Sequence, residues 1–226
     1  MSKQYKLINT IIGFIVFGIS TWQYVSTMES AGSLWDCGEF VSCVYKLQVA
    51  HPPGAPFFMI LGRLFTLLNP SNPVIMVNLM SALMSSFSVL FLYFTIVMVA
   101  KRLIMKVGEA LSLGAFIAIV GSGVVGALAC SFSDTMWFSA VEGEVYASST
   151  FFISIVIWAV VKWNDEADKP HANRWLVFAA FMIGISLGVH LLSLLVIPIA
   201  VIVYYFRKFQ PTVLGFCVAF LVGFIF

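Results

Sequence analysis

Long apolar segments separated by short polar ones fill most of the chain. Most of them approach the ~20 residues that an α-helix needs to cross a bilayer. They cover residues 7–26, 74–100, 111–131, 145–161, 174–189, 191–206 and 212–226. The composition agrees, because 61% of the 226 residues are hydrophobic and 10% are charged, which excludes a soluble fold. The pattern predicts an all-α polytopic membrane protein with about seven transmembrane helices.

One shorter apolar run, residues 57–68, contains Arg63 and lies between HPPGAP and NPSNP. As a helix it extends only about 18 Å. The lysines and arginines decide its location, because they fall into groups between the long runs. These groups are Lys3 and Lys6; Lys101, Arg102 and Lys106; Lys162, Lys169 and Arg174; and Arg207 and Lys208. If the short run crossed the membrane, the group at Lys101 and all later groups would lie outside. All four groups lie in the cytoplasm, together with the N-terminus, only if the short run does not cross the membrane. We therefore expect an interfacial or re-entrant helix at about 54–68 on the outer face.

This topology places the most polar part of the chain outside, in a first outer loop at 27–73. The segment WDCGEFVSCVYKLQVAHPPG begins at residue 35. Asp36 and Glu39 are three residues apart, so both carboxylates project from one face of a helix. The Pro-Pro-Gly that follows His51 ends that helix. Further outer residues that carry polar chemistry are Lys46, Arg63, Glu142, Glu144, Tyr146 and His190.

Charge and cysteine spacing exclude other classes of protein. The net charge of +2 is small and dispersed, so the chain is not expected to bind nucleic acid. The four cysteines show neither zinc-binding nor redox spacing. Asp36, Glu39, Glu142 and Glu144 could provide oxygen ligands for a metal, but we predict no metal and no cofactor.

Small residues in the third long run predict a close helix-packing face. They are Gly121, Gly123, Gly126, Ala127 and Ala129.

Three motifs in order resemble a known family. They are DCGEF with YKLQVAHPPGAPFFMILGRLF, then WFSAVEGEVYA, then SLGVHLLSLL. Together they resemble the GT-C glycosyltransferases, integral membrane enzymes that take a sugar from a polyprenyl phosphate. The closest likeness is to a branch allied to the protein O-mannosyltransferases, which carry an acidic pair and a His-Pro-Pro in their first outer loop. Here the acids are separated as Asp-Cys-Gly-Glu, whereas those enzymes have them adjacent, so the identity of the base stays open between Asp36 and Glu39.

The resemblance implies an inverting transfer of a sugar, mannose by analogy, to a protein Ser or Thr hydroxyl. The catalytic candidates are Asp36, as the favoured general base, and Glu39. The candidates for binding the donor phosphate are Arg63, His51 and Lys46, and those for the sugar or acceptor are Glu142, Glu144, Tyr146 and His190. For Arg63 the alternative is a snorkelling anchor; for His51 and His190 it is a turn residue without chemistry.

Two rival functions stay open at this point: a transporter module and a non-catalytic scaffold subunit of a membrane complex. Residues 1–226 are expected to form a single GT-C-type module that is an N-terminal portion of a longer protein, because residue 226 falls inside an apolar run. The expected partners are the lipid bilayer, the lipid-linked sugar, an acceptor protein and membrane complex subunits. We expect a bacterial inner membrane with the active face towards the periplasm, the alternative being the endoplasmic reticulum.

Overall fold

The computed structural model describes residues 3–105 and 110–225, and these residues form helices without any strand. The helices are α1 Lys3–Thr27, α2 Cys37–Lys46, α3 Pro56–Thr66, α4 Pro73–Ile104, α5 Leu113–Ser131, α6 Asp134–Val141, α7 Val145–Glu166, α8 Arg174–Ser186, α9 Val196–Lys208 and α10 Val213–Ile225, with a 3₁₀ helix at Leu191–Leu195 before α9. The predicted all-α class is confirmed. Lys106, counted above among the cytoplasmic cations, lies outside the described residues.

Five helical segments are long and apolar enough to cross a membrane. They are α1, α4, α5, α7 and the segment Leu191–Lys208 that contains α9. Further crossings are predicted at α8 and α10, which have 13 residues each. Such helices extend about 20 Å, less than the ~30 Å hydrocarbon core. The protein is thus a multi-pass membrane protein, and the count of about seven crossings stays a prediction.

A helix exists as predicted near 54–68, as α3, and α2 forms over the polar segment that precedes it. The location of α3 on the outer face stays a prediction. The structure adds one helix that the sequence did not predict. This is α6, which lies between the apolar runs predicted at 111–131 and 145–161 and has only eight residues. An eight-residue helix shows barely two turns of periodicity, so its pattern carries little signal.

Helix α4 is the centre of the bundle and packs against α1, α5 and α7. Towards α7, the ring of Phe91 lies 5.2 Å from that of Trp158. Towards α1, the hydroxyl of Tyr93 donates a hydrogen bond of 2.8 Å to the side-chain oxygen of Asn9. The membrane-embedded part of the fold is therefore arranged around one 32-residue helix.

Helix α5 approaches α4 closely through part of the predicted small-residue face. A Cβ atom on Gly123 would lie 2.5 Å from Val97 Cγ2, and one on Gly126 would lie 2.7 Å from Ile96 Cδ1. Ala127 is also buried. The prediction is wrong for Gly121, where an added Cβ would meet nothing within 4 Å, and for Ala129, which is exposed.

The cations that end α4 and α9 lie at the same end of the bundle as Lys6 of α1 and the last residues of α7, as the predicted topology requires. Arg102 of α4 pairs with Asp165 near the end of α7 at 2.5 Å. Arg207 of α9 pairs with Asp168. Lys6 of α1 lines the same cavity as the α4 and α7 lysines. We call this region the cationic end; its assignment to the cytoplasm stays a prediction.

The glycines of α5 provide a matched test of the α4–α5 packing. Gly123→Ala should destabilise the fold by about 1–3 kcal/mol, because the new methyl group overlaps Val97, whereas Gly121→Ala should be neutral or slightly stabilising through its gain in helix propensity. Thermal unfolding of the two purified variants measures the difference. Equal melting temperatures would contradict the close α4–α5 approach.

Candidate active site

The first outer loop docks against the connection between α6 and α7. The backbone N–H of Glu29 donates to the carbonyl of Val141 at 3.0 Å, and the side-chain amide of Asn78 donates to the carbonyl of Glu29 at 2.8 Å. The indole of Trp137 donates to the hydroxyl of Thr27 at 2.9 Å. Residues more than a hundred positions apart thereby meet at the end of the bundle opposite the cationic end.

Two buried glutamates lie in this connection and bind the first loop. The hydroxyl of Ser33 donates to Glu142 Oε2 at 2.7 Å, and the thiol of Cys37 donates to Glu144 Oε1 at 3.3 Å. Glu142 is 3% exposed and Glu144 is 7% exposed, so buried carboxylates have found hydrogen-bond donors, as burial requires. These bonds bring the beginning of α2 beside the beginning of α7.

The end of α2 turns the chain back towards its own beginning. Leu47 adopts a left-handed conformation with φ 52°, and the N–H of Gln48 donates to the carbonyl of Cys43 at 2.8 Å, which is how helices commonly terminate. The chain then returns to Glu39, whose Oε1 accepts the backbone N–H of His51 at 2.6 Å. Glu39 Oε2 lies 3.1 Å from His51 Nδ1.

A close backbone contact brings the segment after α8 to the beginning of α3. The N–H of Phe57 donates to the carbonyl of Gly188 at 2.7 Å. A Cβ atom on Gly188 would lie only 2.8 Å from Phe57 Cβ, so glycine is needed for this approach. The contact carries His190 towards α7, where its ring lies 5.6 Å from that of Tyr146.

A cleft of about 60 Å³ lies between four segments. They are the first outer loop, the α6–α7 connection, the chain between α2 and α3, and the segment after α8. The lining residues of the cleft are Asp36, Phe40, His51, Pro52, Pro53, Gly54, Ala55, Glu144, Val145, Tyr146, Val189 and His190. Four of them immediately precede a helix: Asp36 before α2, Ala55 before α3, Glu144 before α7 and His190 before the 3₁₀ helix. The positive ends of several helix dipoles therefore converge on a cleft that also contains carboxylates.

The carboxylates of the cleft region differ in their surroundings. Burial raises the pKa of Glu144, and the charges of Glu142 and Asp36 raise it further, against the opposing hydrogen bond from Cys37. The pKa of Glu39 is lowered, first by the backbone hydrogen bond from His51 and then by the His51 ring. Asp36 is exposed to solvent in the cleft, and its side chain does not cap α2. Among the acids near the cleft, Asp36 is thus the one whose side chain is free to contact a substrate.

The structure brings most of the predicted site residues together. Asp36, His51, Glu144, Tyr146 and His190 all line the cleft. Glu39 lies behind His51, and Glu142 lies behind Glu144, bound to Ser33. The roles predicted for these residues stay predictions.

Two predicted residues lie elsewhere. Arg63 donates to the carbonyl of Tyr45 at 2.7 Å and lies over the Tyr45 ring, 5.3 Å from its centre. Lys46 is exposed at the last position of α2. Since the cleft lies at the other end of α2, neither cation lines it, and the structural role of Arg63 is to hold α3 against the end of α2.

Sequence analysis missed Cys37 and Ser33, the two residues that hold the buried glutamates. Cys37 is buried and is the hydrogen-bond donor to Glu144. Its position between Asp36 and Glu39 within the DCGEF motif was the available signal. Ser33 carries no signal in the sequence, because a serine in a polar loop is common.

Two groups of side chains have the donor chemistry of a metal site. The ligand atoms of Asp36, Glu39 and His51 lie within 4.8 Å of one another, as do those of Cys37, Glu142 and Glu144. In both groups the hydrogen bonds described above already use some of these atoms. The prediction that no metal is required stays a prediction.

The five candidate spans among the described residues identify a multi-pass membrane protein. The polar cleft at one end of its bundle is the candidate active site. The chain belongs to the family described as the protein O-mannosyl-transferase TMEM260 N-terminal domain, whose sequence model matches residues 36–213. The predicted resemblance to the branch allied to protein O-mannosyltransferases is thereby confirmed. The matched range contains every predicted site residue.

Two relatives carry the same kind of name. Protein O-mannosyl-transferase tmem260 of Dictyostelium discoideum is 26% identical over 206 residues, which are 85% of this chain and 23% of that protein. Protein O-mannosyl-transferase TMEM260 of Mus musculus is 26% identical over 153 residues, which are 67% of this chain and 19% of that protein. This chain thus spans about a quarter or less of these relatives. No solved structure is significantly similar to it.

Both relatives are eukaryotic. The comparisons therefore do not support the predicted bacterial inner membrane, although they agree with a multi-pass membrane protein.

The buried position of Glu144 predicts a pH-dependent stability difference. The pKa of Glu144 is raised in the folded state, so the protonated form of Glu144 is compatible with the fold and the ionised form destabilises it. The free energy of unfolding is therefore higher at acidic pH and falls as the pH rises through the folded pKa. Glu144→Gln should therefore raise the melting temperature at neutral pH, and the gain should shrink as the pH falls. Thermal unfolding across pH measures this.

The matched control for this measurement is Glu29→Gln, which neutralises an exposed carboxylate of the first outer loop and should change the melting temperature little. A lower melting temperature for Glu144→Gln at neutral pH would contradict the account.

Proposed function

We propose that the cleft transfers a sugar from a polyprenyl phosphate to a hydroxyl group of an acceptor protein. The observation that carries the proposal is the position of Asp36, a solvent-accessible carboxylate at the convergence of the α2 and α7 N-termini. Transfer from a phosphate-activated donor requires a base for the acceptor and positive charge for the departing phosphate. Both kinds of group meet in this one cleft.

Asp36 is the general base in this proposal. Its carboxylate takes the proton of the acceptor hydroxyl while the hydroxyl oxygen forms a bond with the anomeric carbon. The bond from that carbon to the phosphate oxygen breaks on the opposite face, and its electron pair leaves with the phosphate. One displacement of this kind inverts the anomeric configuration. Glu39 acts differently, since both of its oxygens bind His51 and it therefore orients the histidine.

The departing phosphate is assigned to the helix N-termini. No side chain caps α2 or α7, and the first backbone N–H groups of a helix have no partner within the helix. Their dipoles favour an anion at this position. His190 adds a donor, because its Nδ1 accepts the N–H of Leu192 at 3.0 Å, which leaves the Nε2 nitrogen to carry the proton in the neutral ring.

Glu144 and Tyr146 are assigned to the sugar or the acceptor. Tyr146 is 44% exposed and presents an aromatic ring to the cleft beside His190. Glu144 Oε1 already accepts the Cys37 thiol, so its other oxygen is assigned as the hydrogen-bond acceptor for a hydroxyl group of the sugar or the acceptor. Glu142 supports this arrangement from behind, through Ser33.

Arg63 and Lys46, predicted from the sequence to bind the donor phosphate, have a different part in this proposal. Arg63 fixes α3 to α2 and so supports the loop that carries His51. Lys46 lies at the solvent-exposed end of α2, where its charge favours anionic lipid headgroups.

The proposed substrates follow the names of the relatives. Both are called protein O-mannosyl-transferase, which supports mannose as the sugar and a protein Ser or Thr as the acceptor. A polyprenyl carrier suits a cleft at the edge of a helical membrane bundle. The proposal includes no metal, because the helix N-termini supply positive potential at the phosphate and His190 donates a hydrogen bond to it.

The transporter alternative has less support. The buried polar residues within the described membrane-spanning helices are neutral, and the buried acids Glu142 and Glu144 lie outside the spans. Transport sites, in contrast, lie near the middle of the membrane. The scaffold alternative predicts that Asp36 is dispensable, which an activity measurement decides.

Asp36→Asn should reduce sugar transfer by about 10²-fold or more, because the amide cannot accept the proton of the acceptor. Glu39→Gln should have a smaller effect, since it misplaces His51 without removing the base. The measurement is transfer of radiolabelled mannose from polyprenyl-phosphate mannose to membrane proteins by the full-length protein and each variant, at equal expression.

The matched control is Asp134→Asn, which changes an exposed acid of α6 that does not line the cleft and should keep full activity. Wild-type activity in Asp36→Asn, or absence of transfer from a broad panel of donors, would overturn the proposal.

A further inference from the structure

A second cavity lies at the cationic end, at the opposite end of the bundle from the cleft. It has a volume of about 540 Å³, a size typical of ligand sites. Helices α1 and α7 both pack against α4, and at this end the cavity separates them. A gap between two helices at the end of a membrane bundle is accessible from the lipid headgroup layer.

Lysines dominate the polar part of the cavity wall. Lys6 comes from α1, Lys101 from α4, and Lys162 and Lys169 from α7 and the turn that follows it. Four lysines from separate parts of the sequence meet here.

The two acids in the wall already have cationic partners. Asp165 pairs with Arg102 at 2.5 Å. Glu166 pairs with Lys162 at 3.2 Å and with Arg174 at 3.4 Å. Across residues 3–105 and 110–225, Lys6, Lys101 and Lys169 have no ion-pair partner. Lys169 still interacts electrostatically with Glu166, but Glu166 already has two closer cationic partners. The cavity wall therefore has an excess of positive charge, with four lysines against two acids.

In the deeper part of the cavity the walls from α4 and α7 are apolar, whereas α1 contributes the polar Asn9 and Thr10. Phe94 precedes Lys101 by two turns of α4, and Trp158 precedes Lys162 by one turn of α7, so both lie further into the bundle than the lysines. Val97 and Met98 continue this apolar wall. The cavity is thus cationic at its mouth and apolar on its α4 and α7 walls towards the membrane interior, which matches the polarity of a phospholipid in one leaflet.

We propose that this cavity binds the phosphate headgroup of an anionic lipid, with an acyl chain against Phe94 and Trp158. Basic pockets between transmembrane helices have the chemistry for such headgroups. By the positive-inside rule the lipid belongs to the cytoplasmic leaflet. The site is separate from the cleft, and the proposal does not rest on the proposed sugar transfer.

The test compares the purified chain with a triple variant, Lys6→Ala, Lys101→Ala and Lys169→Ala. Titration with phosphatidylglycerol in neutral detergent is followed by thermal stabilisation and by native mass spectrometry of the bound lipid. The wild type should retain the lipid and gain stability, and the triple variant should bind it roughly tenfold or more weakly, since each lysine contributes to attraction of an anionic headgroup.

The control variant removes the same charge from the same end outside the cavity: Lys3→Ala, Arg207→Ala and Lys208→Ala. It should bind phosphatidylglycerol like the wild type. Equal loss in both triple variants would overturn the proposal in favour of general surface attraction, and unchanged binding in the cavity variant would overturn it as well.

Glycerol phosphate provides the second arm, because it has the same phosphate chemistry without acyl chains. It should give little stabilisation at concentrations where the lipid saturates. Equal stabilisation by glycerol phosphate would exclude a lipid as the ligand of this cavity.

Discussion

The contact between the first outer loop and the α6–α7 connection is the interaction on which the candidate site depends. Glu29 and Asn78 fix the two segments through backbone carbonyls, and Cys37 donates to the buried Glu144. Without this contact, Asp36 would lie in a free loop and Glu144 would be a buried carboxylate without a donor, which is costly. The same bonds that stabilise the outer end therefore also place the proposed base beside the N-terminus of α7.

The proposed chemistry requires a negatively charged base and positive potential for the phosphate within the same small cleft. A base must keep a negative charge while the departing phosphate gains one. Asp36 is exposed in the cleft, whereas Glu144 is buried and its pKa is raised, so the two acids are suited to different tasks. The converging helix ends provide positive potential without a mobile cation. The difference in burial thus gives the two carboxyl groups, Asp36 and Glu144, different proposed roles.

Much of the fold was predictable, because apolar runs of sufficient length leave little choice inside a bilayer. The motif order also identified Asp36, Glu39 and His51 as neighbours. Sequence spacing could not reveal that Arg63 binds a helix-terminal carbonyl instead of lining the cleft, since this depends on how α3 crosses α2. It could not reveal the Cys37–Glu144 bond either, because contacts between residues 107 positions apart are a property of tertiary packing.

The most direct test of the central claim is a structure of the full-length protein bound to a non-transferable mannosyl polyprenyl phosphonate. The account predicts the phosphonate group at the N-termini of α2 and α7, near His190, with the anomeric carbon accessible from the Asp36 side. A donor analogue bound at the Arg63 end of α2, or in the cavity at the cationic end, would contradict it.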